Sequence, residues 1–168
     1  MIPPVLTTRR LTLRPVTLDD AAAMQRGINN WDVVQWLTAP PFPYALDDAV
    51  YFINEVIPTM TNWAIDAGEG FIGTIGFAPD LGYWLDADYH GQRIMSEAAE
   101  AVVAWHFGQS QEALMSGHFL GNEASRKVLQ KQGFVDNGFE KQLQTATQEN
   151  VTVQRMELTH EIWAACHG

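Results

Sequence analysis

Residues 81–107 read LGYWLDADYHGQRIMSEAAEAVVAWHF, and the order of signals in this stretch decides the fold. LGYWL is aromatic and apolar, as a strand requires. DADYHGQ is polar and carries Gly91, so it is a loop. From Ile94 the apolar residues Ile94, Ala98, Ala101, Val102 and Trp105 recur on one face of a 3.6-residue period, which predicts an amphipathic helix. A loop feeding a helix presents backbone N–H groups with no intrahelical partner, at the positive end of the helix dipole. Residues 91–96 are therefore a candidate anion site, with phosphate the expected guest. The alternative is that Gly91 only makes a turn.

A second stretch, GNEASRKVLQKQGF at 121–134, repeats the logic. Asn122 begins a helix whose apolar side carries Ala124, Val128 and Leu129, and Gly133 is placed to cap its end. Asn122 is a good N-cap residue, and capping alone would explain it. A strand, 112–119, precedes it, and strands around 134–143 and 150–158 follow, with a turn of helix at 159–165.

Upstream, RRLTLRP at 9–15 alternates as a half-buried strand does. Thr17 and Asp20 form a capping-box pattern for a helix that Gly27 is expected to end. Residues 30–37 suggest a short helical turn, and APPFPY at 39–44 is a proline-restrained loop. Leu46, Ala49, Val50, Ile53, Val56 and Ile57 share a helix face that Pro58 stops. Residues 62–77 form a hairpin pattern around Gly68-Glu69-Gly70. There GEGFIG matches G-x-G-x-x-G, but TIGFAPD follows where a dinucleotide site needs a helix, so that reading is rejected.

With 168 residues, 46% hydrophobic and 18% charged, the chain is expected to be one globular domain over 1–168. No apolar run approaches the roughly 20 residues of a membrane span. The formal charge of −10 excludes nucleic acid as an expected partner and favours a cationic one, unless it serves only solubility. One cysteine, Cys166, excludes an intramolecular disulfide framework; with no secretory signal evident, a cytoplasmic location is expected. The five histidines show no ligand spacing, so no metal site is expected. A homodimer is a common form for such chains, and oligomeric state stays open.

Four segments in order, LTTRRLTLRPVTLDDA, FIGTIGF, LGYWLDADYHGQRIMSEA and NEASRKVLQKQGF, resemble the GNAT superfamily of acyl-CoA-dependent N-acetyltransferases, and within it the ribosomal-protein N-terminal-alanine acetyltransferases. The resemblance implies an α/β (α+β) fold with a largely antiparallel sheet of about seven strands flanked by helices. Its fourth and fifth strands splay, and the pantetheine arm of acetyl-CoA enters the gap. It implies acetyl transfer from acetyl-CoA to a primary amine, on a small molecule or a peptide N-terminus, by direct attack in a ternary complex. Gly91, Gln92, Arg93, Ile94, Met95 and Ser96 would hold the diphosphate, and Trp84 and Leu85 would border the arm, the Leu85 N–H polarising the carbonyl. Asn122 would bind pantetheine, and Ser125 would protonate the leaving sulfur in place of a family tyrosine, whose position holds Leu129 here.

For the general base the candidates are His118 and Glu97; each also has a bland reading, as a strand residue and as a first-turn charge. Trp31, Trp36, Phe42 and Tyr44 either line an acceptor wall or pack in the core. Two departures stand out: Arg93 occupies the second glycine position of the family's Gly-x-Gly, and Asp88 replaces a basic or amide residue. They keep open a non-catalytic acyl-CoA-binding sensor or scaffold, and a plain interaction domain is the third reading.

Overall fold

The computed structural model describes residues 2–167. Five antiparallel strands, β1 (Leu6–Thr7), β2 (Thr12–Arg14), β3 (Thr61–Asp66), β4 (Phe71–Phe77) and β5 (Leu81–Leu85), pair in sequence order. A second antiparallel sheet has the order β6-β8-β7, from β6 (Leu114–Phe119), β7 (Val135–Gln144) and β8 (Glu149–Leu158). The expected class holds. The count is eight strands among the described residues rather than about seven. The two-residue β1 shifts the numbering, so the open edge lies between the fifth and sixth strands.

Helices α1 (Ala21–Ile28), α2 (Trp31–Val34), α3 (Leu46–Tyr51), α4 (Ile94–Phe107), α5 (Glu123–Gln132) and α6 (His160–His167) surround the sheets. Asn30 caps α2 by accepting from the Asp32 N–H at 2.9 Å. The pattern after Leu46 does not stay a regular helix: α3 widens at Phe52–Val56 and tightens at Ile57–Thr59 around Pro58. Thr17 N–H donates to Asp20 Oδ2 at 2.9 Å, as the capping pattern predicted, and Arg14 clamps the same carboxylate with two 2.9 Å bonds.

Two cores lie on opposite faces of β5, because its side chains alternate. Leu81 and Leu85 join α4, α5 and strands of both sheets in one cluster, whereas Trp84 joins Met24, Val34 and Ile53 in the other. Gly27 belongs to that second contact and does not end α1. A Cβ at Gly27 would stand 2.7 Å from the Trp84 ring, so glycine is there to admit the indole. Gly133, with φ +107, is the helix cap that the sequence predicted. The buried stripe of α4 is wider than the pattern suggested: Met95, Ala99, Val103 and Phe107 are buried too, because sheet and α5 both pack on it. Among the described residues no helix is long and apolar enough to cross a membrane.

Candidate active site

The facing edges of β5 and β6 are joined near their starts by one bond, Ser116 Oγ donating to Leu81 O at 2.8 Å. Beyond that bond both strands continue unpaired with each other, and their ends at Leu85 and Phe119 line a cavity of about 940 Å³. Leu81 O faces the gap, and on the other side the Asp86 N–H donates to Ile72 O of β4 at 2.8 Å. Backbone groups alternate along a strand, so the N–H groups of Tyr83 and Leu85 face the gap and that of Trp84 faces β4. The Leu85 N–H therefore points into the gap. Trp84 borders the cavity, but its ring is packed against α1. His90 Nε2 lies 2.7 Å from Leu85 O, so it carries the proton and holds the strand end against the loop.

Gly91 has φ +77 and Arg93 has φ +61 and ψ +21, so two residues of the loop are left-handed. The arginine conformation costs roughly 1 kcal/mol relative to a right-handed one. Strain of this kind persists where surrounding structure imposes it, and it collects at functional sites. The turn aims the free N–H groups of Ile94, Met95 and Ser96 from the first turn of the fourteen-residue α4, and all three residues line the cavity. Arg93, Lys127 and Lys131 border the same cavity, and none of them has an ion-pair partner among the described residues. In a chain of charge −10, three unpaired cations lining the same cavity as a helix N-terminus are suited to a multiply charged anion. Gln92 does not join them. Its side chain turns back to Asp88 O at 3.4 Å and borders a smaller pocket with Arg10 and Glu69. Asp88 lines neither cavity, so its carboxylate does not face the cations.

Across the cavity Asn122 caps α5, its Oδ1 accepting from the Ser125 N–H at 3.3 Å. Its Nδ2 has no protein partner among the described residues, so capping leaves a donor for a ligand. Ser125 Oγ lies 2.8 Å from the Tyr83 hydroxyl, and the same hydroxyl is 3.3 Å from Ser125 O. Burial pushes the Tyr83 pKa well above the tyrosine range; the Ser125 bond pulls the other way and does not offset it. Leu129 is fully buried in the core and contributes nothing to the cavity.

His118 is 5% exposed and lines the cavity. Its Nδ1 lies 3.1 Å from Phe119 O, which only accepts, so the proton sits on Nδ1. Nε2 is left as a buried lone pair without a partner among the described residues. Glu97, the other base candidate, is ruled out by position. It accepts from Thr8 Oγ1 at 2.5 Å, Arg10 N at 2.9 Å and Arg10 Nε at 2.8 Å, and it lies outside the cavity. Burial raises its pKa, but the bonds from Thr8 and Arg10 outweigh that and lower it overall.

Of the four aromatic wall candidates only Trp36 reaches the cavity. Tyr44 is core, and Trp31 and Phe42 pack on each other at 5.6 Å, outside it. The wall bearing Val33, Trp36, Leu37 and Thr38 is held by Gln144, a buried residue that the sequence did not single out. Gln144 Nε2 lies 3.4, 3.0 and 3.2 Å from the carbonyls of Val34, Gln35 and Leu37, and Thr147 Oγ1 donates to its Oε1 at 2.9 Å. Thr38 Oγ1 donates to Gln142 at 3.1 Å beside it.

Residues 10–135 match the family model described as an acetyltransferase (GNAT) domain. The uncharacterized N-acetyltransferase YoaA of Bacillus subtilis (strain 168) is 26% identical over 151 residues, covering 80% of this chain and 85% of its own. The ribosomal-protein-S5-alanine acetyltransferase of Vibrio fischeri shares the fold with a TM-score of 0.77 at 18% identity, covering 96% of this chain and 99% of its own. RimL, a ribosomal L7/L12 α-N-protein acetyltransferase solved in complex with coenzyme A, gives 0.80 at 18%, covering 93% and 98%. With its splayed edge and a family match over most of its length, this chain belongs to the GNAT acetyltransferase family.

Proposed function

We propose that this protein transfers an acetyl group from acetyl-CoA to a primary amine by direct attack in a ternary complex. The observation that carries the reading is the convergence, around one cavity, of an unpaired strand edge, a cationic helix N-terminus, the serine Ser125 and the histidine His118. Bound acetyl-CoA would supply an activated thioester carbonyl. Gly91 and the N–H groups of Ile94, Met95 and Ser96, with Arg93, Lys127 and Lys131, hold its phosphates. The edge of β5 pairs with the amide-containing arm, with Asn122 Nδ2 as a further donor. The Leu85 N–H faces the carbonyl oxygen, where a preorganised donor is worth a few kcal/mol in the transition state. His118 Nε2 takes a proton from the amine, a task suited to a neutral imidazole. Ser125 Oγ gives a proton to the departing sulfur.

The acceptor enters past Trp36 and Leu37. Coenzyme A in the related RimL complex supports the cofactor class, and the ribosomal acetyltransferases among the structural relatives make a peptide N-terminus the first acceptor to try. A free-thiol assay with acetyl-CoA against short peptides and polyamines tests the reading. Thiol release with at least one amine, abolished in His118→Ala, is expected. Acetyl-CoA binding without release for any amine would favour the sensor reading instead.

A further inference from the structure

The Tyr83–Ser125 pair has a property that neither residue has alone. Each hydroxyl carries one proton, and each O–H rotates freely. At 2.8 Å the two oxygens share one proton between them, so the direction of sharing decides where the other proton points. If Ser125 donates to Tyr83, the serine proton is spent inside the protein. If Tyr83 donates to Ser125 Oγ, the serine proton is free for the gap. A phenol is a much stronger acid than an aliphatic alcohol, so the phenol is the natural donor of the pair. The alternative acceptor for the Tyr83 proton, Ser125 O, is further away at 3.3 Å. Burial keeps Tyr83 protonated, so the donor is always present. Tyr83 stands on β5 and Ser125 on α5, so the bond also ties together two elements that line the cavity.

We propose that Tyr83 is a positioning residue that donates to Ser125 Oγ and thereby turns the Ser125 proton toward the sulfur of a bound thiol or thioester. The proposal rests on the assignment of Ser125 as the proton donor. In the transfer the C–N bond forms and the C–S bond breaks. Sulfur takes the Ser125 proton, His118 takes the proton shed by the amine nitrogen, and His118 returns that proton to Ser125 by way of solvent in the gap. Tyr83 keeps its own proton throughout and stabilises the charge that gathers on Oγ. The net proton movement is from nitrogen to sulfur.

The test needs no acceptor. Coenzyme A itself carries the thiol, and a donor aimed at the sulfur makes its binding tighten as the pH rises and thiolate forms. The dissociation constant of coenzyme A is measured calorimetrically from pH 7 to 9.5, with desulfo-coenzyme A as the control, for the wild type, Tyr83→Phe, Ser125→Ala and the double variant. The wild type should gain about tenfold in affinity across this range, relative to the control. Ser125→Ala should lose most of that gain, Tyr83→Phe should retain about threefold, and the double variant should match Ser125→Ala. A full gain in Ser125→Ala would remove the underlying assignment. Loss in Ser125→Ala with a full gain in Tyr83→Phe would overturn the positioning role alone. So would a Tyr83→Phe protein that loses desulfo-coenzyme A affinity as well, because Tyr83 would then be a packing residue.

Discussion

The cavity wall at Gly91 is built from two contiguous segments, 91–96 and 122–131, whereas the wall at Trp36 is joined by hydrogen bonds between residues 104 to 110 positions apart. The first wall uses backbone: helix starts whose N–H groups are free whatever the side chains are. The second uses side chains that converge only when the β7–β8 hairpin folds over α2. On the proposed function, mutation would separate cofactor binding at the backbone wall from acceptor binding at the wall that the distant Gln144 amide holds.

Gly91→Val should give the largest effect on the first wall. A Cβ at Gly91 meets nothing within 4 Å, so the cost is the left-handed backbone alone. At roughly 1–2 kcal/mol that raises the acetyl-CoA dissociation constant about tenfold. A folded variant with unchanged affinity would break the claim that this loop is the anchor. Gln144→Ala should act on the second wall only, removing the amide donor from one buried and two part-buried carbonyls. We expect a loss of about 1–3 kcal/mol in chemical denaturation and a severalfold higher KM for the acceptor, with acetyl-CoA affinity unchanged. Gln144→Glu keeps the shape but sets a carboxylate against those carbonyls, so it should be worse than alanine.

Arg93→Gly sharpens the first wall by separating backbone from charge. Relief of the left-handed arginine should raise stability by roughly 1 kcal/mol. Loss of the cation should weaken acetyl-CoA binding a fewfold and flatten its salt dependence. A loss of stability instead would mean that the arginine side chain, not the turn, fixes the loop. Glu97→Gln should have the smallest effect, below about 1 kcal/mol, because its partner Arg10 is exposed. The folded-state pKa of Glu97 is lowered, so its contribution is present above the ordinary carboxylate range and lost as pH falls through the lowered value. The melting-temperature gap between the variant and wild type should therefore close in acid; a constant gap would show that charge is not involved.

The same division explains what could be read in the chain. Strand LGYWL, helix 94–107 and the caps Asn122 and Gly133 were legible because period and capping are local properties. Gly27 was misread because its neighbour, Trp84, lies 57 positions away and only the folded contact shows the need for glycine. Tyr83 is not legible as a hydroxyl partner of α5 because the family's tyrosine position on α5 holds the core residue Leu129, while this hydroxyl comes across from β5. Its parity with Leu81 and Leu85, which pack toward α5, was the available signal. Nothing local marks Gln144, whose partners are carbonyls that any residue supplies. Glu97 looked like a base by its place in the first turn of α4, and only Thr8 and Arg10 folding onto it identify a clamp.

The central claim is that the splayed edge and the Gly91 loop form an acyl-CoA site. Calorimetric titration of the whole protein with acetyl-CoA tests it most directly. One-to-one binding in the micromolar range, weakened by Gly91→Val and by added salt, is the predicted result. An absence of binding by the wild type would contradict it, since the strained Arg93 turn and the three unpaired cations would then hold no ligand of this class.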